Sequence, residues 1–218
     1  MSVVFLASLA PGLFWLWYFN RYDVEKEPLG KLALCMLFGA LAVIPALSWE
    51  APFRELLQIS NSLLVQLGLS FFVVGLGEEL FKLVAVYLAI ARSKEFNEPM
   101  DGIIYTIAAS IGFSVVENML YISAFGLVVA PLRGSIATLA HIAFSGLAGY
   151  FLGKARFSNR PAPILAVGLA VATIAHGLYD FLLITGLVSP FVLVLLILAL
   201  HYVLFAAMGH SVKSFPNR

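Results

Sequence analysis

Seven apolar runs separated by short polar stretches set out the chain: Val3–Phe19, Leu32–Leu47, Leu63–Ile90, Ile103–Phe125, Arg133–Leu152, Ile164–Leu183 and Phe191–Met208. Each approaches or reaches the roughly 20 residues that a helix needs to cross a bilayer. The first run has no basic residue before it, and Pro11 directly follows its only small-residue site, Ser8-Leu9-Ala10. It is therefore expected to be a retained helix, not a cleaved signal peptide. The polar stretch Trp49–Ser62, with Glu50, Pro52, Arg54 and Glu55, is expected to lie along the membrane interface. The pattern predicts an all-α, polytopic transmembrane helix bundle of about seven helices. It forms a single domain over residues 1–218.

Composition agrees: 61% of the 218 residues are hydrophobic and 11% charged, against about half and a quarter in soluble domains. A net charge of +1 gives nucleic-acid binding no electrostatic support. Cys35, the one cysteine, has no partner for an intrachain disulfide and reads as a buried core thiol. Lysine and arginine alternate in density from loop to loop. Arg21, Lys26 and Lys31, then Arg92 and Lys94, then Lys154, Arg156 and Arg160, then Lys213 and Arg218 fall on one side. Only Arg54 and Arg133 fall on the other. The bias predicts the N-terminus outside and the C-terminus in the cytosol.

Charge inside the apolar runs changes the picture. Glu78, Glu79 and Lys82 interrupt the third run. An ionisable group at bilayer depth costs at least a few kcal/mol and usually faces a bundle interior or a water-filled cavity. On a helix Lys82 is within reach of both glutamates, so one carboxylate can be neutralised while the other is left for work. The fourth run carries Glu117 and Asn118, the fifth His141 with Ser145 a turn on, and the sixth His176 with Tyr179 and Asp180 beyond it. From the cytosolic ends of their helices, Glu78 lies about 18–20 Å in, Glu117 about 21 Å, His141 about 16–17 Å and His176 about 18 Å, at ~1.5 Å per residue. Four helices thus place ionisable groups in one layer, which points to a functional site.

Glu78, Glu79, Glu117, His141 and His176 are the candidate catalytic residues, with Lys82, Asn118, Tyr179 and Asp180 in support. A buried glutamate can act as general base on a water while a histidine polarises the oxygen that develops charge. The same Glu78, Glu117, His141 and His176 can instead hold a divalent metal such as zinc. No HExxH motif occurs, so the metal signal is weak, and no cofactor is the favoured expectation. Buried Glu/His chains also make proton relays. A proton-coupled transporter and a noncatalytic binding protein are therefore the rival classes, the former disfavoured by the lack of an inverted repeat.

Several motifs add a resemblance: Glu78-Glu79-x-x-Lys82, Asp101-Gly102-x-x-Tyr105, Phe113-x-x-x-Glu117-Asn118-x-x-Tyr121 and His176-Gly177-x-Tyr179-Asp180-Phe181. With Ala10-Pro11-Gly12 and the stretch Tyr150–Phe157, they resemble the motifs of the PrsW family nearly end to end. The resemblance implies a bacterial intramembrane protease of the cytoplasmic membrane. It would cut a single-pass anti-sigma factor on its extracytoplasmic side, as the first step of regulated proteolysis. Glu78 and Glu79 match the paired glutamates shared with the related CAAX prenyl proteases, whereas Glu117 stands where those have a histidine. The superfamily's His-x-x-x-Asn motif corresponds to His141–Ser145 or to His176–Asp180. The wider family has been classed both as metallopeptidases and as metal-free glutamate proteases, and the latter is the expectation.

Overall fold

The structure, a computed structural model, describes residues 2–23 and 25–214; Val24 and the tail with Arg218 lie outside it. Helices α1 (Ser2–Asn20) and α2 (Leu29–Glu50) are followed by a 3₁₀ turn, Ala51–Phe53, and the short α3 (Arg54–Ile59). One helical run then comprises α4 (Leu63–Gly68), a π-helical stretch Leu69–Gly75 and α5 (Leu76–Ile90). Next come α6 (Pro99–Phe125), the single turn α7 (Ala130–Leu132), a second π-helical stretch Arg133–Ala137 and α8 (Thr138–Arg156). Helices α9 (Pro161–Thr185) and α10 (Pro190–Ser214) complete the bundle. There is no strand among the described residues, as expected where lipid leaves each backbone amide to be satisfied within its own helix.

Local chemistry sets the boundaries. Pro99, Pro161 and Pro190 begin their helices, where a missing N–H costs nothing. Gly126 (φ 82°) and Gly186 (φ 61°) end α6 and α9 in the left-handed region. Glu98 and Asp101 form a reciprocal capping box at the start of α6. Helix α2 starts three residues before the apolar run suggested and runs through Pro45. The expected interfacial segment 49–62 contains the last turn of α2, the 3₁₀ turn and the exposed α3.

Six stretches are long and apolar enough to cross a membrane: Val3–Asn20, Leu29–Leu57, Pro99–Phe125, Leu127–Arg156, Pro161–Thr185 and Pro190–Lys213. The seventh expected span, Leu63–Ile90, is helical throughout but carries Glu78, Glu79 and Lys82. Helix α6 is the axis of the bundle, with α1, α2, α5, α8 and α10 around it. Its contacts are close because small residues meet backbone. A Cβ on Gly39 would stand 1.9 Å from the Ala109 carbonyl oxygen, one on Gly112 1.9 Å from that of Met36, and one on Gly153 2.0 Å from that of Pro99. Membrane helices approach this way because the apolar tails outside give no hydrophobic drive between helices. Leu41, Ile44, Leu198 and Tyr202 instead point outward and are exposed, as a lipid-facing surface requires.

Candidate active site

The site is assembled from α5, α6, α8 and α9. Both π-helical stretches immediately precede a helix that carries site residues: Leu69–Gly75 before Glu78, and Arg133–Ala137 before His141. A π turn frees carbonyls and shifts the register of the helix beyond it. Trp49 Nε1 donates to one such carbonyl, that of Val73, at 3.1 Å.

Lys82 lies at the centre, fully buried. Its ammonium is 3.0 Å from Glu78 Oε2, 2.9 Å from Glu79 Oε1 and 2.8 Å from His141 Nδ1, which engages all three of its donors. It also stands 4.2 Å above the Phe113 ring. Glu79 is enclosed: Ser145 Oγ donates to its Oε2 at 2.8 Å, and His176 Nδ1 lies 3.0 Å from its Oε1. Carboxylates only accept, so His176 carries its proton on Nδ1. Similarly, His141 Nε2 meets Glu117 Oε2 at 2.8 Å and carries a proton there. Glu117 is fixed in turn by Arg133 Nη2 at 2.8 Å, and Arg133 Nε donates to Asn118 Oδ1 at 3.0 Å. Helix α9 supplies Asp180, 3.4 Å from His176 Nε2.

One nitrogen of each ring also turns toward Glu78. His141 Nδ1 and His176 Nε2 are each 3.8 Å from Glu78 Oε2. The rings are perpendicular with centroids 5.2 Å apart, and Phe144 stacks on His176. Glu78, Glu117, His141, His176, Tyr179 and Asp180 all line one cavity of about 620 Å³, together with Glu50, Arg54, Tyr121 and Arg133. Glu79 and Lys82 stand behind its wall.

The donors suit a metal in several respects. Glu78, His141 and His176 offer one ligand atom each, all within 4.8 Å of one another. This is a His₂Glu set of the zinc-protease kind, and each imidazole is backed by a further carboxylate, Glu117 or Glu79, as metal-bound histidines usually are. One group competes: the Lys82 ammonium holds the His141 Nδ1 lone pair that an ion would take. Glu117, expected as a fourth ligand, sits on the far nitrogen of His141. Asn118 braces Arg133 and Thr138 and does not reach the cavity wall. Sequence reasoning missed Arg133, Ser145 and Glu50 as parts of the site. Arg133 reads in the sequence as a loop charge, and Ser145 only as a neighbour of His141.

Glu78, Glu79, Lys82, Glu117 and His176 of this site lie in motifs that carried the resemblance. Residues 27–208 match the model of the family described as PrsW family intramembrane metalloprotease. The chain belongs to the PrsW family. It is 33% identical over 180 residues to the protease PrsW of Geobacillus kaustophilus, covering 82% of this chain and 78% of that protein. It is 30% identical to the Oceanobacillus iheyensis protease PrsW, covering 92% and 94%, and 31% identical to that of Bacillus subtilis, covering 84% of each. No solved structure matches the chain. Like its PrsW relatives it is an intramembrane peptidase, a multi-pass protein of a bacterial membrane.

Proposed function

We propose that this PrsW-family chain hydrolyses a peptide bond of a single-pass membrane protein, of the anti-sigma factor class, at the extracytoplasmic end of the substrate helix. The observation that carries the reading is the convergence of His141 Nδ1 and His176 Nε2 on Glu78 at the wall of one cavity. Glu78 is the carboxylate of the pair that reaches the cavity, so it takes the proton of the attacking water as the water oxygen bonds to the scissile carbonyl carbon. When the C–N bond breaks, Glu78 returns the proton to the leaving amine. Glu79 does no proton transfer; it fixes Lys82, Ser145 and His176. Lys82 holds Glu78 in place, and His176, flanked by Glu79 and Asp180, faces the space where the oxyanion develops.

A resident zinc-type ion would be held by Glu78, His141 and His176 and would supply Lewis-acid polarisation of the water and the carbonyl. Glu78 would then serve as a ligand and not as the base, while Glu79 and Glu117 would keep their task of orienting the two imidazoles. A peptide carbonyl tied into i→i−4 bonding is poorly presented for attack, so helix-weakening residues are favoured around the cut. The test is cleavage of a single-pass anti-sigma factor co-reconstituted in proteoliposomes, with sequencing of the new N-terminus. A cut at the extracytoplasmic juxtamembrane segment is expected, and a cut on the cytosolic side contradicts the reading.

A further inference from the structure

The catalytic reading leaves the Asp101-Gly102-x-x-Tyr105 motif without a task. At the opposite end of α6 from Glu117, Asp101 gathers with Asp23, Glu27 and Glu98. One carboxylate oxygen each from Asp23, Glu98 and Asp101 lie within 4.8 Å of one another. The capping box uses part of this group: Asp101 Oδ2 accepts the backbone N–H of Asn97 at 2.7 Å and of Glu98 at 2.8 Å. Glu27 is held by the Tyr105 hydroxyl. The rest is unexplained by folding.

Asp23 is 4% exposed and Asp101 0%. Both oxygens of Asp23, Oδ1 of Asp101 and Oε1 of Glu98 are buried without a hydrogen-bond partner. The carboxyls of Glu98 and Asp101 crowd Asp23 and repel it unless a proton is shared. Lys26 directs its ammonium to the backbone carbonyls of Asn20 and Asp23, at 2.8 and 3.4 Å. Burying a carboxylate without a partner costs several kcal/mol, and here three share one space.

We propose that Asp23, Glu98 and Asp101 bind a hard divalent cation of the size of Ca²⁺, clamping the α1–α2 loop to the start of α6. All-oxygen ligands select Ca²⁺ or Mg²⁺ over zinc. Three carboxylates drawn from a loop and a helix start make an irregular oxygen set, which suits the flexible coordination of Ca²⁺ better than the near-ideal octahedron that Mg²⁺ demands. The site is separate from the Glu78 centre and does not depend on how that centre works.

The test is calorimetric titration of the full chain, in zwitterionic nanodiscs, with CaCl₂ and with MgCl₂, paired with thermal melting in each salt. One Ca²⁺ per chain is expected, with a higher melting temperature. Asp23→Asn is expected to weaken binding at least about tenfold, whereas Glu78→Gln leaves it unchanged. Glu98→Gln, at a half-buried position, is expected to weaken it too and guards against misfolding of the first variant. Absence of heat and of a melting shift in the wild-type chain up to about 10 mM Ca²⁺, well above the weak end of known sites, overturns the proposal. So does binding that both Asp23→Asn and Glu98→Gln leave intact, or that Glu78→Gln abolishes.

Discussion

Glu78 and Glu79 are neighbours with unlike surroundings, and that difference separates rate from stability. Glu78 reaches the cavity; Glu79 is fully buried and meets Lys82, Ser145 and His176. Glu78→Gln keeps shape and hydrogen bonding but cannot take a proton, so cleavage is expected to fall at least about a hundredfold, with a smaller drop in melting temperature than for Glu79→Gln because Lys82 keeps its pair with Glu79. Glu79→Gln is expected to lose both activity and stability, because removing one partner of a buried ion pair costs about 3–5 kcal/mol. Detergent melting and a cleavage assay on the same preparations check this; full activity in Glu78→Gln sinks the assignment. Lys82 makes a second residue-scale prediction. Its ammonium occupies the His141 Nδ1 lone pair, so Lys82→Met should bind Zn²⁺ more tightly than the wild-type chain in a titration followed by calorimetry. Equal or weaker binding would show that lysine and metal do not compete there. The glutamates and histidines were legible in the sequence because a charge inside an apolar run is costly and rarely idle. Arg133 was not, because its pairing with Glu117 depends on the π turn that brings the start of α8 back over the end of α6.

Among the elements, the apolar runs located the helices but set their starts late, at Ile103 against Pro99 and at Ile164 against Pro161, because hydropathy does not register the polar or proline-led first turn, and the π-helical stretches were not legible at all. Leu69-Ser-Phe-Phe-Val-Val-Gly75 is apolar on every face, and nothing in such a run distinguishes i→i+5 from i→i+4 bonding. The reason appears only in packing: α9 crosses there, where a Cβ on Gly177 would be 2.8 Å from Phe71 Cα, and Trp49 takes the Val73 carbonyl. A Cβ on Gly77 would stand 2.5 Å from the Trp49 ring, so the indole also sets how closely α2 approaches the Glu78 turn. Trp49→Phe is expected to keep most of the packing but lose the bond to Val73, lowering the cleavage rate more than the melting temperature. The central α2–α6 contact carries stability. Gly112→Ala drives a methyl into the Met36 carbonyl, 1.9 Å away. Backbone cannot yield as a flexible side chain does, so a loss near the top of the usual about 1–3 kcal/mol for overpacking is expected. At about 2–4 °C per kcal/mol that is roughly 6–12 °C in melting temperature. A melting curve superposable on wild type would show that α2 and α6 separate easily.

At the scale of the molecule, the two ends of the bundle differ in kind. The cavity opens where α2, α6 and α9 finish and α8 begins, lined by Glu50, Arg54, Tyr121, Arg133 and Asp180. The acid cluster of Asp23, Glu98 and Asp101 lies at the other end, with the loops that hold Lys26, Arg92 and Lys94 and the first turn of α2 that holds Lys31. The charge alternation was legible from lysine and arginine spacing alone. The sequence did not show that Arg54 and Arg133, the two exceptions, both belong to the cavity wall. We infer that their positive charge belongs to the site, which leaves the bias of the remaining loops sharper than the raw count and makes the cavity end outside the cytosol the expected orientation. The buried thiol of Cys35 makes this directly measurable. In a Cys35→Ala background, Val128→Cys, in the exposed connection after α6, and Ser158→Cys, in the connection after α8, place one thiol at each end. A membrane-impermeant maleimide is expected to label position 128 in intact cells and position 158 only after permeabilisation. The reverse pattern would turn the cavity toward the cytosol and remove the physical basis for an extracytoplasmic cut.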